Sequence, residues 1–365
     1  MIDNILGIAG HFAVAGVPVA YKECTAGHIN NTYMVTFDCD HKTEKYILQR
    51  INTYVFKNPQ HVMHNIVGVT TYIKALLEHD GGDVERGTLD FVKSKTGEYF
   101  YKDEKDGYWR MYRYVDNVIS YSQAESPELF EKAGVAFGKF QLQLAGYDAS
   151  DLYETIPDFH NTKKRYERFI QVVDSCTSER RNIASDVIDF VLARGAKCSF
   201  VVDEIEAGRI PVRVTHNDTK LNNILMDEQT GEGVCIIDLD TIMPGSVLYD
   251  FGDSIRFGAS SALEDEADLD KVFFRTDMFE AFARGYITAS NGTLTAHEIE
   301  SLVMGAYIIT FETGMRFLTD YLENDVYFKT SYADHNLVRA RNQFKLVYDL
   351  ETRMNEFDDI IKKII

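Results

Sequence analysis

The sequence is short of positive charge and of paired cysteines. Of its 365 residues, 38 are Lys or Arg and 57 are Asp or Glu, so the formal net charge is -19. Nucleic acids and anionic membrane surfaces bind basic faces, and neither is expected as a partner. The five cysteines are scattered and form no C-x-x-C pair, which favours free thiols over disulfides or a zinc site.

Long apolar runs are also missing. Residues 5–20 are fairly apolar, but Asp3 precedes them, and His11 and Pro18 interrupt them. Because no basic segment flanks this stretch, it does not resemble a signal peptide, and no uninterrupted run is long enough to cross a bilayer. We therefore expect a cytoplasmic protein. The sequence leaves the oligomeric state open, and a monomer is the default expectation.

One octapeptide has the residue types and spacing of a phosphoryl-transfer loop. His216, Asp218 and Asn223 match the pattern H-x-D-x-x-x-x-N. An aspartate at this position accepts the proton of an attacking hydroxyl, and the asparagine five residues later ligates Mg²⁺. Further on, an apolar segment ends in Asp238 and Asp240, where another magnesium ligand is expected. Two such segments in this order rarely arise by chance.

These residues receive distinct predicted roles. Asp218 is the catalytic base, Asn223 and Asp238 are the Mg²⁺ ligands, and His216 holds the loop in place through hydrogen bonds. A polar turn before a strand is the alternative without chemistry. Downstream, the acidic segment Y-D-F-G-D could pin this loop through its backbone amides, cap the following helix, or do both.

The first third of the chain is rich in strand signals. Residues 31–37 and 45–51 are β-branched and aromatic and flank a polar turn, which predicts two antiparallel strands. Apolar residues recur at helical spacing over 61–79. Three further strand signals follow, at 91–93, 98–101 and 108–115. The predicted arrangement is an antiparallel sheet with one inserted helix.

The remainder is mainly helical. Ser126 before Pro127 is a typical helix start, Thr295 opens a capping box, and an apolar stripe follows residues 336–365. This order predicts an α+β, protein kinase-like fold with two lobes. The β-rich nucleotide-binding lobe would span residues 1–115, and the larger helical lobe, with the catalytic loop and acceptor site, residues 116–365.

A family resemblance rests on three stretches: T-H-N-D-T-K-L-N-N-I-L, I-I-D-L-D-T-I-M-P-G and Y-D-F-G-D-S-I-R. They resemble the aminoglycoside phosphotransferase and choline kinase family. Flanking segments, such as 154–160 and 314–318, are similar to the branch that phosphorylates N-acetylhexosamines. The resemblance implies ATP and Mg²⁺ as cofactors. It also implies transfer of a phosphoryl group to the anomeric hydroxyl of N-acetylglucosamine or N-acetylgalactosamine in amino-sugar salvage.

Motif positions in the family imply further contacts. Arg113, Tyr114 and Val115 match the connection between the lobes, where backbone groups would meet adenine, and Gln49 replaces the strand lysine that contacts the phosphates. The implied substrate-binding residues are His28, Asn30, Asp218, Phe257, Arg316 and Tyr327. An aromatic ring suits the apolar face of a sugar. Without the resemblance these positions would be explained by turn chemistry, a structural salt bridge and packing.

The phosphate-binding region departs from the kinase pattern. A single glycine, Gly27, stands where a glycine-rich loop is expected, and the inserted helix has Asn65 near its centre instead of a glutamate. Since Gln49 carries no charge, the cation for the nucleotide phosphates is undefined, and Arg50 is one candidate. The absence of H-R-D and A-P-E motifs excludes a eukaryotic-type protein kinase.

Two other functions fit the same motifs. A kinase of this fold could act on another hydroxyl acceptor, such as an aminoglycoside, choline or homoserine. An inactive kinase-like binding protein would account for the missing glycines and lysine, although it has no need of Asp218, Asn223 and Asp238 together. The sequence does not decide between gluco and galacto epimers or between N-acyl groups.

Overall fold

The computed structural model describes residues 4–24, 30–40 and 42–365. Its N-terminal part is an antiparallel sheet in the order β1-β2-β3-β6-β4, with β5 also paired to β6. The strands are β1 (Val17–Cys24), β2 (Asn31–Cys39), β3 (Lys42–Ile51), β4 (Phe91–Val92), β5 (Tyr101–Lys102) and β6 (Tyr108–Arg113). A short helix, α1 (Ile5–Ala9), precedes the sheet, and a long helix, α2 (Pro59–Asp80), joins β3 to β4.

The two faces of this sheet have different neighbours. Leu48, Trp109 and Met111 are fully buried in a hydrophobic cluster with α1. Because side chains alternate along a strand, the neighbours of these residues on the same strands point to the opposite face of the sheet. Gln49 of β3 and Arg110 of β6 lie directly opposite each other in the register, on the face turned toward the rest of the chain.

The C-terminal part is helical. Its helices are α3 (Pro127–Leu144), α4 (Thr162–Ser175), α5 (Ser178–Ile183), α6 (Ser185–Leu192), α7 (Phe200–Glu206), α8 (Val247–Gly258), α9 (Thr276–Ala289), α10 (Ala296–Glu300), α11 (Leu302–Leu322) and α12 (His335–Ile364). The largest hydrophobic core lies among α3, α8, α9, α11 and α12. Glycine allows α3 and α9 to pack closely: a Cβ at Gly134 would lie 2.4 Å from the Phe282 carbonyl oxygen.

Five short strands lie between these helices. They are β7 (Val118–Ile119), β8 (Arg213–Thr215), β9 (Ile224–Asp227), β10 (Gly233–Ile236) and β11 (Met243–Gly245). They form two small antiparallel sheets, β10-β9-β7 and β11-β8. The polar loops from β8 to β9 and from β10 to β11 therefore start and end at paired strands, which fixes their positions. Within the described residues, none of the helices combines the length and apolar character needed to cross a membrane.

Most of the predicted elements are confirmed. Ser126 caps α3 by accepting a hydrogen bond from the Leu129 amide, and the capping box at Thr295 is formed. The strand predicted at 98–101 is wrong except for Tyr101, because the Glu98 carbonyl closes a turn by accepting from the Ser94 amide and hydroxyl. Neither α1 nor β1 was predicted. The lobe boundary at 115/116 stays a prediction.

Candidate active site

The loop from β8 to β9, residues 216–223, is held by its own histidine. The buried ring of His216 accepts a hydrogen bond at Nδ1 from the Asp218 amide (3.2 Å) and lies 2.8 Å from the Ile237 carbonyl at Nε2. An amide only donates and a carbonyl only accepts, so these partners assign a neutral imidazole with its hydrogen on Nε2. The contacts confirm the structural role predicted for His216, and they join this loop to the segment that carries Asp238.

Helix α8 anchors the same loop from the other side. The Asp250 carboxylate accepts hydrogen bonds from the amides of His216 (3.0 Å) and Asn217 (2.7 Å). The Ser254 hydroxyl donates to the Thr219 carbonyl at 2.8 Å. The prediction that an acidic residue here pins the loop is thus confirmed for Asp250. The capping alternative is wrong, because Ser246 caps α8.

Asp218 lies between a cation and an amide. Its Oδ1 is 2.9 Å from Lys220 Nζ, and its Oδ2 accepts from Asn223 Nδ2 at 3.1 Å. Burial opposes ionisation of this carboxyl, but the charge and hydrogen bond of Lys220 outweigh it and lower the pKa of Asp218. Because Nδ2 of Asn223 faces Asp218, the amide oxygen of Asn223 is turned away from it. No residue that the structure describes donates a hydrogen bond to this oxygen, so it could ligate a metal.

Asp238 has a conformation and surroundings typical of a functional carboxylate. Its backbone is left-handed (φ 59°, ψ 51°), which costs about 1 kcal/mol or more for a residue with a side chain. Burial, together with the charges of Asp240 and Asp218, raises the pKa of Asp238 to about 6. Crowded oxygen donors of this kind suit a hard divalent cation, and Asn223 with Asp238 would supply two of them. Among the described residues no group of three His, Cys, Asp or Glu side chains is placed to hold a metal ion.

Asp240, in contrast, is already occupied. Its Oδ1 is paired with the guanidinium of Arg110, and its Oδ2 accepts from Asn30 Nδ2 at 2.5 Å. Arg110 Nε also donates to Gln49 Oε1 at 2.9 Å, and Gln49 Nε2 donates to Thr32 Oγ1 at 3.1 Å. Predicted nucleotide and acceptor residues thus share one hydrogen-bonded network. Asn30 lies directly after residues 25–29, and His28 falls among these, outside the described residues.

The predicted connection between the lobes follows β6. The side chain of Arg113 is half exposed, and the Tyr114 amide donates to the Lys45 carbonyl at 3.0 Å. Val115 is buried, and in the part of the chain that the structure describes its backbone N–H and C=O form no hydrogen bond within the protein. They are therefore available to a planar ligand such as adenine.

Arg316 of α11 is surrounded by aromatic rings. Its guanidinium lies 5.5–5.9 Å from the ring centroids of Phe159, Tyr327 and Phe328. Among the described residues no carboxylate lies within ion-pair distance of it. Arg165, which donates to the Phe159 carbonyl at 3.0 Å, adds a second positive charge nearby. This group of five side chains is hereafter the Arg316 cluster. Within the described part of the chain its Arg316 makes no hydrogen bond, so guanidinium donors lie beside apolar ring faces.

Phe257 and Tyr327 occupy different settings. Phe257 is partly buried and follows Asp250 and Ser254 by two turns and one turn along α8. It therefore lies on the face that anchors the loop from β8 to β9. Tyr327 is 61% exposed and belongs to the Arg316 cluster. The structure thus brings Asp218, Asn223 and Asp238 together and groups Arg316 with Tyr327.

Sequence reasoning missed two cations of this site. Lys220 stands inside the recognised octapeptide, and a cation two residues after Asp218 was a usable signal. Arg110 interrupts a strand of aromatic and apolar residues, where a charge needs a buried partner. Its partner Asp240 is distant in sequence, which explains why Arg110 was overlooked.

The fold is that of a kinase-like phosphotransferase, and comparison with solved structures supports this class. The protein has the kinase-like architecture of an aminoglycoside phosphotransferase from Alicyclobacillus acidocaldarius (13% identity, TM-score 0.56, 98% of this chain and 95% of that one). It is also similar to an ethanolamine kinase from Plasmodium vivax (15%, 0.54, 89% and 82%) and a choline kinase from Cryptosporidium parvum (11%, 0.54, 94% and 92%). At these identities the likeness shows the fold.

The family follows from the sequence match. The model of the APH phosphotransferase enzyme family matches residues 20–286, which include nearly all of the N-terminal sheet, the loop from β8 to β9 and the Asp238 segment. The chain therefore belongs to the APH phosphotransferase enzyme family.

Proposed function

We propose that the protein is a cytoplasmic N-acetylhexosamine 1-kinase. With ATP and Mg²⁺, it would phosphorylate the anomeric hydroxyl of N-acetylglucosamine or N-acetylgalactosamine and release the sugar 1-phosphate and ADP. Membership of the phosphotransferase family supports the reaction class. The likeness of segments 154–160 and 314–318 to amino-sugar kinases supports the acceptor.

The observation that carries the choice of acceptor is the Arg316 cluster. Choline, ethanolamine and aminoglycosides are cations, and Arg316, which has no carboxylate within ion-pair distance among the described residues, would repel them. Arg165 adds little to this repulsion, because Glu312 lies 3.3 Å from it. A neutral sugar offers hydroxyl and carbonyl oxygens to guanidinium donors and an apolar ring face to Phe159 or Tyr327. The cluster therefore favours a neutral acceptor. His28, Asn30 and Phe257 are the other proposed acceptor contacts.

Asp218 would act on the acceptor. Its lowered pKa keeps the carboxylate ionised at neutral pH, so it can accept a hydrogen bond from the anomeric hydroxyl. As the new oxygen–phosphorus bond forms and the bond to the β-phosphate breaks, the proton passes to Asp218 and ADP leaves. Lys220, 2.9 Å from Asp218, would neutralise the transferred phosphoryl group.

Asn223 and Asp238 would hold Mg²⁺ through oxygen atoms. The bound ion neutralises and orients phosphate oxygens. The backbone of Val115, with Arg113 and Tyr114 beside it, would receive adenine, and Gln49 would face the phosphates. These residues leave bond making to the substrates and supply alignment and charge.

A panel of acceptors tests the proposal. ADP release with ATP and Mg²⁺ is measured for N-acetylglucosamine, N-acetylgalactosamine, choline, ethanolamine and an aminoglycoside. We expect turnover only with the amino sugars, and an acid-labile 1-phosphate product by phosphorus NMR. The 1-deoxy sugar, which lacks the anomeric hydroxyl, is the matched control and should be inert. A 6-phosphate product, or turnover of a cationic acceptor alone, would refute the proposal.

The base is tested by replacing Asp218. Asp218→Asn keeps the size of the side chain but cannot take the proton, so turnover should fall about 10²- to 10⁴-fold while ATP binding stays nearly unchanged. Asp203→Asn, which alters a surface carboxylate on α7, is the control and should behave as wild type. Normal turnover by Asp218→Asn would exclude Asp218 as the base.

A kinase for another acceptor is the second candidate, because the structural neighbours are named for choline, ethanolamine and aminoglycosides. An inactive binding protein is the third. It would show no Mg²⁺-dependent ADP release with any member of the panel.

A further inference from the structure

We infer that Arg110 of β6 binds the nucleotide phosphates and replaces, from the neighbouring strand, the cation that Gln49 of β3 does not supply. The inference rests on the proposed use of ATP and adds a residue to the nucleotide site. The sequence left the cation that binds the nucleotide phosphates undefined, and Arg110 would supply it.

Position is the first argument. Gln49 and Arg110 are directly opposite each other in the antiparallel register, so both side chains leave the same face of the sheet. The bond from Arg110 Nε to Gln49 Oε1 brings the guanidinium to the place where the Gln49 side chain ends. A cation there occupies the position that a lysine at residue 49 would reach.

The surroundings of Arg110 are the second argument. Its side chain is 3% exposed and is paired with Asp240, two residues after Asp238. The guanidinium therefore lies between the sheet and the proposed metal segment, which is where the proposal places the phosphates of a metal-bound nucleotide. Arg50, the earlier candidate, follows Gln49 on β3, so it leaves the opposite face of the sheet and lies over the Trp109 ring at 5.8 Å.

The remaining donors are the third argument. A guanidinium has five N–H groups. Nε and Nη1 have partners, whereas Nη2 makes no hydrogen bond to any residue that the structure describes. Nη2 is not among the buried polar atoms that lack a partner, so its donors are reachable from solvent and open to a ligand. Phosphate oxygens, which accept bidentate bonds from arginine, would satisfy them.

Binding of adenosine and ADP without metal separates phosphate contacts from adenine contacts. Calorimetry in EDTA is performed on wild type and Arg110→Gln. One lost charge-assisted hydrogen bond to phosphate corresponds to about a 10- to 100-fold weaker affinity for ADP. Adenosine affinity should change less than about twofold, because adenosine has no phosphate. Equal weakening for both ligands, or unchanged ADP affinity, would overturn the inference.

Variants of Asp240 separate phosphate binding from neutralisation. If Arg110 only balances Asp240, the double variant Arg110→Gln/Asp240→Asn should recover wild-type ADP affinity; we expect no recovery. Asp240→Asn alone keeps the cation and should keep the preference for ADP over adenosine, which provides a test even if Arg110→Gln folds poorly. Loss of that preference would overturn the inference.

The result is independent of the acceptor. A protein that needs Arg110 for ADP but phosphorylates no amino sugar would refute the proposed function alone. If the protein makes sugar 1-phosphate and the variant Arg110→Gln binds ADP as tightly as wild type, only the role of Arg110 is refuted.

Discussion

Single residues around the site are held by buried partners, and Glu312 of α11 shows how this works. It is 1% exposed, accepts hydrogen bonds from His160 Nδ1 (2.9 Å) and Thr162 Oγ1 (2.6 Å), and lies 3.3 Å from Arg165. His160 contacts Tyr249, the neighbour of Asp250, with ring centroids 4.9 Å apart. One carboxylate thus connects the Arg316 cluster with the anchor of the catalytic loop.

Acid should reveal the contribution of Glu312 to stability. Burial opposes its ionisation, but His160 and Arg165 outweigh burial and lower the pKa of Glu312 to about 2, from an ordinary 4.5. The unfolded chain therefore binds the proton more tightly, and the stabilisation is complete above pH 4.5 and lost as the pH falls toward 2. We expect Glu312→Gln to reduce the free energy of unfolding at pH 7 by about 3 kcal/mol.

Urea unfolding from pH 7 to pH 3 checks this expectation. The difference in the free energy of unfolding between Glu312→Gln and wild type should become smaller below pH 4.5. Glu131→Gln, whose partner Arg284 is about half exposed, is the control and should change stability by less than about 1 kcal/mol. A difference for Glu312→Gln that stays constant across this pH range would contradict the role of the ionised carboxylate.

At the scale of elements, the end of a helix positions side chains of the proposed acceptor site. Asp320, in the last turn of α11, accepts hydrogen bonds from the backbone amides of Val326 (2.9 Å), Tyr327 (2.7 Å) and Phe328 (2.9 Å). The following loop is therefore folded back over the helix. This brings Tyr327 and Phe328 around the guanidinium of Arg316, one turn earlier on the same helix.

Removal of this anchor should affect the acceptor more than the nucleotide. We expect Asp320→Ala to raise the KM for the amino sugar about tenfold, with little change in the KM for ATP, because it releases the loop of the Arg316 cluster. Asp320 also accepts a hydrogen bond from Asn336 Nδ2 of α12 at 2.8 Å, and the variant removes this contact as well. Asp320→Asn keeps one acceptor oxygen and should recover part of the loss. Steady-state kinetics with each substrate varied provides the measurement.

Glu323 offers the matched control for Asp320. It lies in the same loop but is paired with the exposed Arg168, so Glu323→Ala should leave both KM values unchanged. An equal rise of both KM values in Asp320→Ala would indicate a general loss of structure and would contradict a positioning role.

At the scale of the whole molecule, the sequence predicted motifs and helices, whose residues are close together along the chain. It did not predict contacts between residues far apart along the chain. Asp218 and Asn223 lie in one octapeptide, and the long helices repeat their apolar residues every three or four positions, so both were predictable. The pairing of Arg110 with Asp240 joins residues 130 positions apart. Only the folded chain brings them together. The β1 strand was missed because its outward side chains, such as Val17 and Val19, are themselves apolar and exposed.

The sheet and the helical part share one hydrophobic cluster, which includes residues of α2, α3 and β10. Asn65 of α2 lies inside this contact, where kinases have a glutamate. It is fully buried, and its Nδ2 donates to the carbonyls of Tyr153 (2.7 Å) and Ile242 (2.9 Å), while its Oδ1 accepts from the Tyr153 amide (2.9 Å). A helix of the N-terminal part is thus bonded directly to the segment that follows Asp238 and Asp240.

Asn65→Ala should lower the stability of the protein and its affinity for Mg²⁺ at the proposed metal site. The buried carbonyl of Ile242 and two partly buried backbone groups of Tyr153 lose their partner, so we expect the free energy of unfolding to fall by about 3 kcal/mol. The Mg²⁺ concentration needed for half-maximal activity should rise, because Ile242 follows the metal segment closely. Thr70→Val on the same helix is the matched control, since the Thr70 hydroxyl donates to carbonyls of its own helix. If both variants unfold at the same urea concentration and need the same Mg²⁺, the bonds of Asn65 do not couple the two parts.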